Sequence, residues 1–134
     1  MIIVDTNIIT YLFIEGENTK KAENAFKKDT KWAAPILWRS EFRNVLAFYI
    51  RNQDLELDNA IKIMNEADQL MSDYEYDVTS LDVLKLAALS GCSAYDCEFV
   101  ALAKDLRIPL LTFDKKVLKA FPKYTISLEN YIRF

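Results

Sequence analysis

The sequence predicts an α/β protein built on a parallel sheet, because short β-branched runs alternate with amphipathic helical stretches and the runs stop at polar turn residues. Scale agrees: 134 residues, 51% of them apolar and 13% aromatic, fill one core rather than two. The chain is therefore read as a single domain over residues 1–134. Two glycines and three prolines argue against long flexible linkers, and neither a low-complexity tract nor an internal repeat is visible.

Residues 1–4 form a short apolar run closed by Asp5, Thr6 and Asn7, a buried strand ending in a polar turn. Helices are expected over residues 8–14 and 19–28, the second with a threonine cap, and a strand over residues 32–34 ahead of Pro35. From residue 36 to 52, Leu37, Trp38, Phe42, Val45, Leu46, Tyr49 and Ile50 recur at three- and four-residue steps, which marks an amphipathic helix with Glu41 near its start. A further helix is expected over residues 58–74, then a strand over 76–78 and a helix capped by Thr79 or Ser80 that runs to Leu89. The turn at Gly91, Cys92 and Ser93 leads to a helix over residues 95–106 with Asp96 in its first turn. Residues 109–113 read as a buried strand ended by Asp114, followed by a helix over 115–120 and a last strand over 125–127.

Composition removes several chemistries. The chain has no histidine, which excludes Ser-His-Asp and Cys-His catalysis and the HExxH zinc proteases. Cys92 and Cys97 lack CxxC spacing and have no histidine with which to complete a zinc set, so both are read as reduced structural thiols. The apolar start meets Asp5 at once and lacks a basic leader, and no apolar run approaches the ~20 residues of a membrane span, so a cytoplasmic protein is expected. A net charge of −3 does not advertise a nucleic-acid binder. A site made of acids would itself lower that charge, however, and a bound divalent cation reverses the sign where a phosphate must sit.

Four acids stand out by position. Sites in open α/β sheets form outside the carboxyl ends of strands, where Asp5 and Asp114 are expected, and Glu41 and Asp96 fall near helix starts on the same edge. Clustered carboxylates repel one another, and a protein that keeps several together usually offsets the repulsion with a cation. An all-oxygen set suits Mg2+ or Mn2+ rather than zinc. Position alone leaves a second reading open. Asp96 and Asp114 are equally good helix caps or first-turn acids, and Glu41 a solvated helix residue.

Four segments settle on one comparison. IIVDTN at the start, SEFRNVL near residue 40, YDCEFVALA around residue 96 and LLTFDKKV around residue 114 resemble, in order, spacing and total length, the signature segments of the PIN-domain family, most closely its VapC-type toxins. The resemblance implies a three-layer α/β/α fold with a short-stranded parallel central sheet and a Mg2+- or Mn2+-dependent endoribonuclease. Its metal-holding acids fall on Asp5, Glu41, Asp96 and Asp114. It makes Asn7 and Thr112 partners that orient those carboxylates, and Asn44, one turn after Glu41, a contact for water or phosphate. It further implies an RNA substrate, a cognate antitoxin and a homodimer, the last in keeping with the many apolar residues between 36 and 74. Some members carry another acid where this chain has Lys116, which leaves a second tight metal site open. Arg39, Arg43, Lys115 and Lys116 are candidates to track an RNA backbone, and Tyr95 and Phe113 to stack on a base, although solvated charges and core aromatics are the plainer reading.

Two other enzymes fit less well. A phosphotransferase with a nucleophilic aspartate would want a second Asp two residues after Asp5, where Asn7 stands, and a receiver domain would want an acidic pair there. The reading from another class is a non-catalytic PIN scaffold that binds RNA or protein, from which loss of an acid is expected, whereas all four are present.

Overall fold

The computed structural model describes residues 1–133. Strands β1 (Ile2–Val4), β2 (Trp32–Pro35), β3 (Glu75–Tyr76), β4 (Leu110–Thr112) and β5 (Thr125–Ser127) form one parallel sheet in the order β3-β2-β1-β4-β5. Every residue of β1, β2 and β4 is buried, as strands covered on both faces must be, while the two edge strands are half-buried. Parallel neighbours require crossovers, and helices supply them. Helices α1 (Thr6–Phe13) and α2 (Thr19–Lys28) join β1 to β2, and α3 (Leu37–Arg51) and α4 (Leu57–Met71) join β2 to β3. The chain then returns through α5 (Ser80–Ser90) and α6 (Ala94–Leu106) to β4, and α7 (Lys115–Ala120) leads to β5, after which α8 (Leu128–Arg133) closes the order.

Right-handed crossovers put the outward-running helices on one face of the sheet and the returning ones on the other. The packing agrees: α1 to α4 and α8 contact one another, whereas α5 and α6 form a separate pair with α6 laid across β2, β1 and β4. This is the three-layer α/β/α arrangement expected from the sequence. Trp32, Trp38, Phe42, Ile3, Ile8, Ile9 and Met71 are among its fully buried side chains, and Cys92 and Cys97 are buried and unpaired. Among the described residues no single helix is long and apolar enough to cross a membrane.

The chain leaves β1 toward β2 but leaves β4 toward β5, so the crevice between the carboxyl ends of β1 and β4 is the switch point of the sheet. Their register, Ile3 beside Leu110 and Val4 beside Leu111, sets Asp5 next to Thr112.

Several boundaries differ from those read in the sequence. Helix α1 starts at Thr6, not residue 8, because Asp5 serves as its cap and no turn intervenes. Strand β3 falls on Glu75 and Tyr76 rather than residues 76–78, since α4 stops at Met71 and a turn closed by Tyr74 N–H on the Met71 carbonyl brings the chain into register earlier. The α8 helix was not expected at all; it begins at the fully buried Leu128, with Ser127 Oγ accepting from Asn130 N–H. Exposed apolar side chains remain on α3 and α4 (Phe48, Leu57, Ile61), as the sequence suggested, and also on α5 (Leu81, Leu84, Leu89), which it did not.

Edge strand β3 is pinned to α3 by one side chain. Glu75 accepts from Arg39 Nε and Nη2, each at 2.6 Å, and from Trp38 Nε1 at 2.8 Å. Arg39 holds the Glu75 carboxyl below its usual range against the opposing effect of burial, the largest single influence. Trp38 is fully buried, so removing its acceptor strands an N–H donor. Glu75→Ala is expected to destabilise the protein by about 1–3 kcal/mol in urea unfolding, and Glu75→Gln by less because the amide oxygen still accepts from Trp38.

Candidate active site

All four acids singled out in the sequence line one cleft of about 250 Å³ at the carboxyl edge of β1 and β4, together with Asn7, Asn44 and Thr112. Each reaches it by a different local device. Asp5 caps α1, accepting from Ile8 N–H at 3.1 Å through Oδ1, while Oδ2 accepts from the Thr112 hydroxyl. Asp114 caps α7, taking Lys116 N–H at 2.8 Å and Val117 N–H at 3.3 Å on Oδ1. Asp96 lies in the first turn of α6 but is not its cap: Ser93 Oγ does that work, accepting from Asp96 N–H at 3.1 Å. Glu41 sits more than one turn into α3 and is held by the Thr6 hydroxyl, which donates to Oε1 at 2.7 Å.

Thr112 links two of the acids. Its hydroxyl oxygen accepts from Asp114 N–H at 3.1 Å while its proton goes to Asp5, so one buried side chain orients the Asp5 carboxylate and fixes the Asp114 backbone. Asn7 and Asn44 line the cleft as exposed side chains, and among the described residues neither shows a hydrogen bond to a carboxylate. Thr6 was missed by sequence reasoning. No local signal marks it, because its burial follows from Asp5 capping a helix that begins on the very next residue. Of the candidate basic residues, Arg39 is committed to Glu75, Arg43 and Lys115 are exposed, and Lys116 donates from Nζ to the Gly91 carbonyl at 3.1 Å. Phe113 meets Tyr11 edge-on, with ring centroids 5.7 Å apart, and Tyr95 stands exposed.

The acids feel one another. Burial, and then repulsion from Asp114 and Glu41, pushes Asp5 up to about 6 although Thr112 and Ile8 pull it down. Glu41 is raised by burial and by Asp96 and Glu98, against the Thr6 bond. Asp96 is raised by burial and by Asp114, opposed by Ser93 and by the nearby Lys116 ammonium. The repulsion thus runs from Glu41 to Asp5 to Asp114 to Asp96 and back to Glu41.

A hard divalent cation fits this set in kind, since every donor is a carboxylate or hydroxyl oxygen. The spacing is open. Among the described residues no three acids are gathered tightly enough to hold an ion as they stand. That suits a metal which keeps several of its waters and takes one or two protein carboxylates directly, as Mg2+ commonly does.

A family model described as the PIN domain matches residues 2–124. The chain is 27% identical over 124 residues to "Ribonuclease VapC3" of Pyrobaculum aerophilum, a match that spans 90% of this chain and 95% of that one. Its fold is similar to that of PAE2754 from Pyrobaculum aerophilum, with TM-score 0.76 and 20% identity over 98% of this chain and 85% of that one. It is also similar to a chain of a toxin–antitoxin complex from Klebsiella pneumoniae, with TM-score 0.71 and 16% identity over 96% and 98%. A third likeness is to FitAcB from Neisseria gonorrhoeae, with TM-score 0.75 and 15% identity over 96% and 99%. At these identities the structural likeness establishes the fold.

The raised Asp5 carboxyl has a consequence for stability. Between the ordinary value of 3.8 and about 6, folded Asp5 keeps a proton that the unfolded chain has released. Its contribution is therefore full at low pH and is lost as pH rises through that window, by up to about 3 kcal/mol without metal. Thermal melts in chelator should show wild type losing stability across this window and Asp5→Asn losing much less, its amide mimicking the protonated acid. Parallel pH profiles for the two proteins would remove Asp5 as the cause.

Proposed function

The chain belongs to the PIN-domain family, and from that premise we propose that it is a Mg2+- or Mn2+-dependent endoribonuclease, the toxin of a type II toxin–antitoxin pair. The observation that carries this reading is the single cleft at the sheet's switch point into which four mutually repelling carboxylates converge. Uncompensated, such a cluster only weakens the fold; a cation and a phosphodiester give it a use.

Asp5, Glu41, Asp96 and Asp114 would hold the ion, directly or through water. When bound, a divalent ion of this type polarises a phosphoryl oxygen, favours deprotonation of the attacking water and stabilises the leaving oxygen. The chain's own side chains arrange the rest. Thr112 fixes the plane of Asp5 and the position of the Asp114 backbone, and Thr6 fixes Glu41, so the acids are oriented before substrate arrives. Asn7 and Asn44, exposed at the cleft wall, are placed to donate amide protons to water or a phosphate oxygen. With no histidine in the chain, proton transfer falls to these carboxylates and to water.

The partners follow from the same reading. A toxin–antitoxin complex and a DNA-bound FitAB structure stand among the structural neighbours, which supports a cognate antitoxin for this chain. Apolar side chains left exposed on α3, α4 and α5 support burial against protein, a second copy in a homodimer included. A toxin of this class acts on RNA in the cytoplasm.

Incubation of a mixed RNA pool with the purified protein should give endonucleolytic fragments in Mn2+ or Mg2+ and none in EDTA. Asp5→Asn and Asp96→Asn should abolish cleavage, while Thr112→Val, which removes only the orienting hydroxyl, should lower activity or metal affinity by about 10–100-fold. Fragments that persist in EDTA or in both Asp variants sink the proposal; RNA bound but left intact would mark a non-catalytic scaffold.

A further inference from the structure

One cation beside the cleft, outside its lining, is not explained by the acids. Lys116, the second residue of α7, reaches away from its own helix and donates from Nζ to the Gly91 carbonyl at 3.1 Å, across 25 positions of sequence. Gly91 ends α5 in the left-handed conformation, with φ 72°, and two residues later Ser93 opens the helix that carries Asp96. The lysine therefore ties the segment bearing Asp114 to the segment bearing Asp96. Its positive charge lies close enough to Asp96 to oppose the rise that burial and Asp114 impose on that carboxyl.

Gly91 takes one of the three protons of the ammonium, and the others remain for an anion. On the same side of the cleft, Asp114 Oδ1 already accepts two backbone N–H groups. The Asp96–Asp114 side thus holds a fixed cation beside a carboxylate already engaged in capping. Asp5 and Glu41, which line the same cleft, are engaged instead by the uncharged hydroxyls of Thr112 and Thr6.

We propose that Lys116 is a built-in second cation of the site: its ammonium neutralises a phosphate oxygen beside Asp96 and Asp114, where it stands in for a second divalent ion, so that the chain takes one such ion. The inference rests on the metal-nuclease reading for the ion and on the Gly91 tether for the lysine. A second dication near Asp96 would meet a tethered like charge, whereas a phosphate meets a partner already in place. Lys116 is exposed, as Arg43 and Lys115 are, and differs from them in its bond to the Gly91 carbonyl, which places the ammonium before substrate arrives.

Two measurements test it without recourse to cleavage. Calorimetric titration with Mn2+ should give one ion per chain for wild type and for Lys116→Arg, and two for Lys116→Glu, in which the fixed cation becomes an acid. Fluorescence anisotropy with a labelled single-stranded RNA of mixed sequence, in EDTA over a salt series, should show a shallower dependence of log affinity on log salt for Lys116→Met. The slope is expected to fall by about 0.7, one phosphate contact, and to recover in Lys116→Arg. Two Mn2+ ions on the wild type, one on Lys116→Glu, or equal salt slopes for wild type and Lys116→Met would overturn the proposal, as would wild type that binds no RNA even at low salt. Failure of wild type to take up any Mn2+ overturns the metal-nuclease reading instead, and the salt slope then judges the lysine alone. Thermal melts confirm that each variant is folded.

Discussion

The pairing of β1 with β4 is the constraint from which the site follows. Both strands are three residues long and fully buried, and their register sets Ile3 against Leu110 and Val4 against Leu111. Asp5 then emerges beside Thr112, its backbone N–H donating to the Leu111 carbonyl at 3.2 Å, and the threonine hydroxyl reaches both Asp5 and Asp114. A slip of one residue would turn Ile3 and Val4 to the wrong faces and move Thr112 away from Asp5. Core packing on both sides of the sheet forbids that slip, so the hydrophobic pattern of two short strands determines where two carboxylates meet.

Holding those carboxylates together requires offsets from the fold itself. Asp5 and Asp114 cap α1 and α7, and Asp96 lies in the first turn of α6, so three of the four stand at helix N-termini, where a negative charge is favoured by about 0.3–1 kcal/mol. Thr6, Ser93 and Thr112 supply three further hydrogen bonds that favour the ionised forms of Glu41, Asp96 and Asp5. These offsets are incomplete, because Asp5, Glu41 and Asp96 all remain raised. What is left uncompensated is mutual repulsion among acids that line one cleft.

The alternation of short apolar runs with helical periodicity was enough to read the sheet, its parallel sense and the strand ends carrying Asp5 and Asp114. Where reading failed, the cause was a side chain whose role is tertiary. Thr6 looked like part of a turn because nothing local says that a strand-ending aspartate also caps a helix starting on the next residue. Glu75 looked unlike a strand residue because its fitness for an edge position depends on Arg39 and Trp38, 36 and 37 residues away. Helix α8 escaped because it is six residues long and follows β5 without a breaker, although Ser127 before Leu128 and Glu129 is a legible cap. The convergence of Glu41 and Asp96 on one cleft was suggested by their places near helix starts and rested more on the family resemblance, since both depend on how α3 and α6 cross opposite faces of the sheet.

At Asp114 a helix cap and a place in the cleft do not exclude one another. Its capping bonds use Oδ1, and the same bonds fix the side chain at the mouth of the cleft. Asp5 repeats the device, with Oδ1 on the helix and Oδ2 on Thr112. A cap is a way of holding an acid in place with backbone donors that have no other partner, so it immobilises the carboxylate while partly offsetting its charge. Helix capping at the end of a buried strand is thus one means by which a small fold with three-residue strands gains an oriented set of acids without added loops. The same economy explains why a capping signature in such a sequence argues neither for nor against a site until the neighbouring strand end is known.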